Sequence, residues 1–413
     1  MNENTARTVD ELLPDAMLRR FGERAPGYDA ENVFFADDFE ELRATGYLAA
    51  PAPVELGGAG LRLEQLVEAQ RRLAAYAPAT ALGVNMHLVW VQVARFLRDR
   101  APGDDGNGPL DWVLRDAVAG EVFAFGISEA GNDAVLMDAR STAEHLGAGE
   151  GYRVDGTKIF TSLSPVWTRL GVHARCDAPG PGAAGPGAAE PHLVFGFVRR
   201  DGGALREGSI SHPGEWNPLG MRATQSWTTR LDGVRIAEAD VAARIAPFDG
   251  SDPLVLAIFS SFSILTAAVY AGIADRALEL ARVAANRPVP APDGSEDPIG
   301  IRLDDPDTAA RLTAAVLDHR ASLDALAVAG RDIDERRPRD DWFLVLAAVR
   351  NRTTDEARRA VDVGMRLVGA EGFRAESELA RLYRDVLAGM FHPSSSRALA
   401  RTVRGVLEDQ ADA

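Results

Sequence analysis

The chain has 413 residues, 46% of them hydrophobic and 26% charged, which is enough apolar side chain for more than one globular core. Its 45 basic and 61 acidic residues give a net charge of −16, and a surface of that sign repels a phosphate backbone, so nucleic acid is excluded as an expected partner. A single cysteine, Cys176, excludes an internal disulfide and a cysteine-built structural zinc site.

The opening MNENTARTVDELLP is polar and acidic and lacks the basic and apolar regions of a secretory signal, so a cytoplasmic location is expected. ADDFEELRATGYLAA begins acidic, which suits the positive end of a helix dipole, and meets Gly46 near its end. LRLEQLVEAQRRLAAYA repeats apolar residues at helical spacing, and PAPVELGGAG between the two predicts a Pro/Gly loop. From about residue 121 the pattern turns short and β-like. GYRVDGTKIFTS predicts a hairpin turning at Asp155-Gly156, because both turn positions tolerate positive φ. HLVFGFVRR and TTRLDGVRI continue in that style, while CDAPGPGAAGPGAAEP is a low-complexity loop. The uncharged PLVLAIFSSFSILTAAVYAGIA is long enough to cross a bilayer. It is nevertheless solitary, carries Ser260, Ser261, Ser263 and Thr266, and runs directly into the amphipathic DRALELARVAANR, so a helix buried on all sides is expected and no membrane. NRPVPAPDGSEDPIG and RRPRDD break the helices that follow. The order is α+β: residues 1–120 helical, 121–245 a β-domain, 246–413 helical.

Nucleotide, zinc-protease and serine-hydrolase motifs are missing, and the seven histidines show no metal-ligand spacing, so no metal is expected. What stands out is an ordered set: PVELGGAG, ISEAGND, DGTKIFTS, NPLGMRATQSWTTRLDGVRI, RLVGAEGF and LYRD. In that order and along nearly the whole chain, these resemble the acyl-CoA dehydrogenase superfamily of flavoproteins, whose corresponding patterns are P-E-x-x-G-G-x-G, T-E-P-G-x-G-S-D, N-G-x-K-x-W-I-T, G-M-R-x-[ST] and Q-x-x-G-G-x-G-[YF]. The resemblance implies an N-terminal helical domain, a middle β-barrel or sandwich and a C-terminal four-helix bundle. It also implies FAD, or FMN, a small-molecule substrate such as an acyl-CoA or carrier-bound acyl group, and a homotetramer or dimer. Phe160, Thr161 and Ser162 then lie along the flavin ring. Ser128 faces its pyrimidine edge, where a hydroxyl donor suits the negative charge of the reduced ring. Arg287 reaches a neighbouring subunit's flavin pyrophosphate, Arg366, Gly369 and Gly372 lie near the adenosine end, and Ser395 touches the flavin. Plainer readings exist for each: Phe160 as hairpin core, Ser128 as a turn residue, Gly369 and Gly372 as helix-to-loop glycines. Lys158, the only lysine in the chain, reads as an exposed hairpin residue.

Dehydrogenases of this family use a glutamate to remove the α-proton of an acyl thioester while hydride leaves the β-carbon. Counting from Arg384-Asp385, that position is Pro393 here, and the alternative position ten residues before Gly272 is Phe262. Neither side chain ionises, so neither is a base. Pro393 equally suits a helix end, with a serine behind it capping the next helix. Three readings stay open. One is a dehydrogenase with a relocated base, His392 being the nearest titratable group and Glu371 a more distant one. Another is a flavin monooxygenase, which uses reduced flavin and O₂ and does not require the glutamate. The third is a non-catalytic subunit paired with an active homologue.

Overall fold

The computed structural model describes residues 6–100, 107–177, 190–200, 208–293, 295–393, 399–400 and 403–404. Six helices come first: α1 (Val9–Leu12), α2 (Asp15–Glu31), α3 (Ala36–Ala44), α4 (Leu63–Tyr76), α5 (Pro78–Arg100) and α6 (Asp111–Val118). Local chemistry sets their ends. Thr8 and Glu11 form a reciprocal capping box on α1, and Gly46, at φ +76°, turns the chain out of α3.

Among the described residues eight strands follow: β1 (Phe123–Gly126), β2 (Thr142–His145), β3 (Tyr152–Thr161), β4 (Arg169–Cys176), β5 (His192–Arg199), β6 (Ser209–Ser211), β7 (Trp227–Ile236) and β8 (Val241–Ile245). They make one sheet in the order β6-β7-β3-β2-β4-β5-β8, with β1 lying parallel beside β4. The expected hairpin at Asp155-Gly156 is not there. β3 runs through that dipeptide as one strand paired to β7 and β2 on either side, with a register shift between Val154 and Gly156. Ladders on both edges outweigh the local turn preference. The glycine is needed because a Cβ there would sit 2.1 Å from Ser141 Oγ. The turn lies instead between β2 and β3, over residues 146–151, where Leu146 N–H donates to the Gly151 carbonyl at 3.0 Å. Residues 178–189, most of the low-complexity loop, are outside the described residues.

The second helical block holds α7 (Pro253–Ala285), α8 (Pro306–Asp334), α9 (Trp342–Val368) and α10 (Glu378–Val386), with a small antiparallel pair, β9 (Pro288–Val289) and β10 (Gly300–Ile301), between α7 and α8. Asp252 caps α7, its Oδ1 accepting the Leu254 N–H at 2.8 Å. Among the described residues α7 is the one helix long and apolar enough to cross a membrane, and 89% of its most apolar stretch is buried inside the fold, as expected of a core helix. It packs against α4, α5, α8 and α9. At Gly272 the approach to α4 is so close that a Cβ would lie 2.3 Å from the Arg71 carbonyl oxygen.

His319 of α8 ties these helices together. Its Nε2 lies 2.8 Å from Asp275 of α7, which also pairs with Arg71 of α4, and its Nδ1 lies 3.1 Å from Glu356 of α9. Burial opposes charge on the ring, but the two carboxylates raise its pKa to about 9. A raised imidazole pKa stabilises the fold fully below about 6.5 and loses that contribution as pH rises through about 9. The melting temperature of the unmodified chain is therefore expected to exceed that of His319→Gln by most at pH 6, with the gap closing by pH 9.5. A gap independent of pH would contradict the charged-histidine assignment.

Candidate functional site

The end of β3 is bent outward. The register with β7 shifts between Lys158 and Thr161, Phe160 adopts φ +57°, and its ring is left 48% exposed, edge-on to Trp216 at 6.4 Å. A positive φ at a bulky residue costs energy and marks a position held by its surroundings. Phe160 is therefore not hairpin core. Ile159 N–H donates to the Ser128 carbonyl at 2.9 Å, which brings the ISEAGND segment alongside.

Phe160, Ser128 and Ser162 line a cavity of about 330 Å³. Its other walls come from Phe125, Met86 of α5, Phe262 of α7, the 216–226 segment and the stretch that follows α10, including His392 and Pro393. Behind Ser162 the hydroxyls form a chain: Ser162 Oγ to Ser226 Oγ at 2.7 Å, Ser226 Oγ to Thr224 Oγ1 at 2.7 Å, and Thr224 Oγ1 donating to the Met221 carbonyl at 2.8 Å. Since Thr224 spends its proton on that carbonyl, Ser226 donates to Thr224 and Ser162 to Ser226. Ser162 thus faces the cavity with free lone pairs, as an acceptor. Two motifs far apart in sequence brace this wall. Asp385 Oδ1 accepts the Met221 N–H at 2.6 Å, and a Cβ on Gly220 would lie 2.2 Å from the Arg384 carbonyl oxygen.

Pro393 and Phe262 both border the cavity, and none of the described residues that line it is a carboxylate. His392 is present but unsuited to the role of base. Its Nε2 is 2.7 Å from the hydroxyl of Tyr270, which is fully buried, and burial together with the Arg350 charge lowers the imidazole pKa to about 3. Burial keeps the Tyr270 hydroxyl protonated, and no other acceptor for it occurs among the described residues, so it donates to Nε2. The ring is then neutral with its proton on Nδ1. Glu371, the other candidate base, is exposed, borders no described cavity and pairs with Arg287 at 2.7 Å. The salt bridge draws its carboxyl pKa down.

Arg287, Gly369, Glu371 and Gly372 meet at one corner, where α7 ends and α9 turns at Gly369 with φ +75°, away from the cavity. Arg366 pairs with Asp362 on the surface at 2.8 Å. Thr161, expected along the ring, is fully buried and is not among the residues lining the cavity, and its Oγ1 has no hydrogen-bond partner among the described residues. Ser394 and Ser395 lie outside the described residues.

Lys158 is the clearest correction: it is fully buried, its Nζ 2.7 Å from Glu129 Oε1 and donating to the His173 carbonyl at 2.7 Å. Glu129 also accepts from Arg140 N–H, Ser141 N–H and Ser141 Oγ. Burial alone would raise its carboxyl pKa, but Lys158 and these donors hold it at about 2. The pair was missed because one lysine carries no periodic signal and its partner lies 29 residues away.

A planar ring system with a polar edge needs aromatic walls and a few converging hydrogen-bonding groups. The Phe160, Phe125 and Phe262 rings with the Ser128 and Ser162 hydroxyls meet that description, so the residues fit a flavin. Among the described residues no cluster could hold a metal ion. A fold and a site of this kind define a flavin-dependent oxidoreductase.

No protein-family model matches the chain. L-evernosamine nitrososynthase of a Micromonospora species is 31% identical over 400 residues, covering 93% of this chain and 86% of that one. Dibenzothiophene monooxygenase of Mycolicibacterium goodii is 25% identical over 91% of this chain and 88% of its own. Among solved structures, KijD3 in complex with FMN and dTDP-3-amino-2,3,6-trideoxy-4-keto-3-methyl-D-glucose superposes with a TM-score of 0.76 at 26% identity, covering 97% of this chain and 94% of that one. Butyryl-CoA dehydrogenase of Megasphaera elsdenii shares the fold, with a TM-score of 0.77 at 17% identity over 96% and 97% of the two chains. The chain belongs to the acyl-CoA dehydrogenase superfamily of flavoproteins.

Proposed function

We propose that the protein is a flavin-dependent monooxygenase that oxidises the amino nitrogen of a small substrate, with an amino sugar borne on a nucleotide as the favoured class. The observation that carries this reading is a cavity with no carboxylate among the described residues that line it, with proline at the family's base position and an imidazole beside it that resists protonation. Dehydrogenation of an acyl thioester needs a proton acceptor there, and losing one costs roughly 10²–10⁴-fold in rate. An amine is served by the same absence. It reacts through its lone pair, and a neighbouring carboxylate would favour the unreactive ammonium form. The nitrososynthase relative and the amino-sugar complex of KijD3 support nitrogen as the acceptor atom.

A bound reduced flavin supplies two electrons so that one oxygen atom of O₂ enters the product and the other leaves as water. This chain's part is to exclude water with Phe125, Phe262 and Met86, to offer Ser162 as an acceptor, and to offer the Nδ1–H of His392 as a donor. FMN is the proposed form. Arg287 and Arg366, assigned by resemblance to the pyrophosphate and adenosine end of FAD, are both engaged by carboxylates of their own chain. A homotetramer or dimer is the proposed assembly, on the family resemblance.

With reduced FMN, ¹⁸O₂ and a dTDP-amino sugar, the product is expected to carry ¹⁸O on nitrogen. Anaerobic mixing of the flavin-loaded protein with a panel of acyl-CoA thioesters is expected to leave the flavin band unbleached. Unlabelled product, or bleaching by an acyl-CoA, would overturn the reading.

A further inference from the structure

No residue of α2 lines the cavity, yet the helix holds one of its walls. That wall is the 216–226 segment, which belongs to no strand and whose one regular piece is the short 3₁₀ turn Arg222–Thr224. Backbone outside a ladder has to find its hydrogen bonds elsewhere. Met221 at φ +53° and Gln225 at φ +44° also sit in left-handed backbone, which costs energy for side chains of that size. Such a segment keeps its shape only where its neighbours hold it.

The C-terminal end of α2 is one such neighbour. Asn32 Nδ2 donates to the Trp216 carbonyl at 2.6 Å, and the Asn32 carbonyl accepts from Gln225 Nε2 at 2.8 Å. Just before it, the Asp29 carbonyl accepts from Arg222 Nε at 2.8 Å, and the Asp29 carboxylate pairs with Arg384. Gln225 extends the clasp to β7, its Oε1 accepting the Trp227 indole N–H at 2.8 Å. Trp216 donates its own indole N–H to the Arg222 carbonyl at 2.7 Å, and its ring meets the Phe160 ring edge-on, both lining the cavity. A carbonyl can only accept, so the Asn32 amide is oriented with its nitrogen toward Trp216. Asparagine suits the place twice. It ends the helix in the left-handed conformation, at φ +53°, which it tolerates, and its amide supplies the donor.

We propose that Asn32 is a positioning residue for the flavin: through the Trp216 carbonyl and Gln225 it fixes the 216–226 wall that holds the ring system, without lining the cavity itself. This rests on the flavin site described above and holds whichever substrate atom is oxidised. Asn32→Gly keeps the left-handed backbone and the carbonyl that Gln225 uses, and removes only the amide. Asn32→Asp keeps the shape but sets a carboxylate oxygen against the Trp216 carbonyl, two acceptors with no proton between them.

The probes are oxidised FMN and lumiflavin, the same ring system without its phosphate chain, each bound to the full chain in equilibrium dialysis. Asn32→Gly is expected to weaken both by about tenfold, the upper range for one neutral hydrogen bond, and Asn32→Asp by at least as much. The two probes should lose equally, because the wall holds the ring and not the phosphate. In flavin-free protein, backbone amides of residues 216–226 are expected to exchange hydrogen faster in both variants, while β4 and β5 exchange as before and the melting temperature is little changed. Unaltered affinity in both variants, weakening confined to FMN, or unaltered exchange at 216–226 would each overturn the proposal. Faster exchange in β4 and β5 as well would also overturn it, since Asn32 would then serve folding in general. An unmodified chain that binds neither probe removes the flavin reading and this proposal together. The oxygen-labelling result bears on the oxygenase reading alone.

Discussion

Lys158→Met is expected to cost about 3–5 kcal/mol of folding stability, the usual penalty for stranding one member of a buried ion pair. Lys158 and Glu129 are both buried, and the Glu129 carboxylate would keep four donors, from Asn132, Arg140 and Ser141, but lose its counter-charge. The double variant Glu129→Gln/Lys158→Met is expected to recover part of the loss, because it removes the stranded charge as well. Urea unfolding at pH 7 measures both. The Glu129 pKa is depressed, so its contribution is present above the ordinary value of 4.5 and fades as pH falls towards about 2. The single variant should therefore lie furthest below the unmodified chain near neutrality and approach it in acid. A loss under about 1 kcal/mol would show that the pair contributes little. The effect extends to the site. Glu129 organises the segment that carries Ser128 into the cavity, so flavin occupancy is expected to fall together with stability.

The fate of Lys158 shows what the sequence could and could not reveal. Amphipathic helices such as α4 and the uncharged run of α7 were legible because burial on one face, or on all, imposes a composition. The ordered family segments were legible for a related reason: backbone approaches such as Gly220 against Arg384 need particular residues at particular places. The hairpin expectation failed because the Asp-Gly turn signal is local, while the two neighbouring strands that straighten β3 are not. Pro393 was identified by counting alone, and it does border the cavity. That the His392 ring resists a second proton was not legible. The causes are burial in the fold and the Arg350 charge on α9, more than 40 residues away in sequence.

His392→Ala is expected to lower the oxygenation rate by roughly 10²–10³-fold, the scale for removing one preorganised hydrogen-bond donor from a dry site. The tautomer of His392 decides its role. Tyr270 donates to Nε2, so the proton sits on Nδ1, which has no protein partner among the described residues and belongs to a residue lining the cavity. A donor fixed in this way does not reorganise during the reaction, whereas a proton-accepting imidazole would have to charge in a buried setting that resists it. Tyr270→Phe removes the fixing bond and leaves the ring in place. It is expected to lower kcat by about tenfold, the effect of losing about 1.4 kcal/mol at one hydrogen bond, with KM little changed. pH separates the donor from the base. A histidine with a pKa of about 3 stays neutral across the working range, so kcat/KM should show no inflection near pH 6.5 that His392→Ala abolishes. His392→Asn, which can donate but cannot serve as a base, is expected to retain more activity than His392→Ala. If the asparagine variant is as inactive as alanine, and the unmodified enzyme shows an inflection near pH 6.5 that both lose, then His392 accepts a proton after all and the dehydrogenase chemistry regains its base.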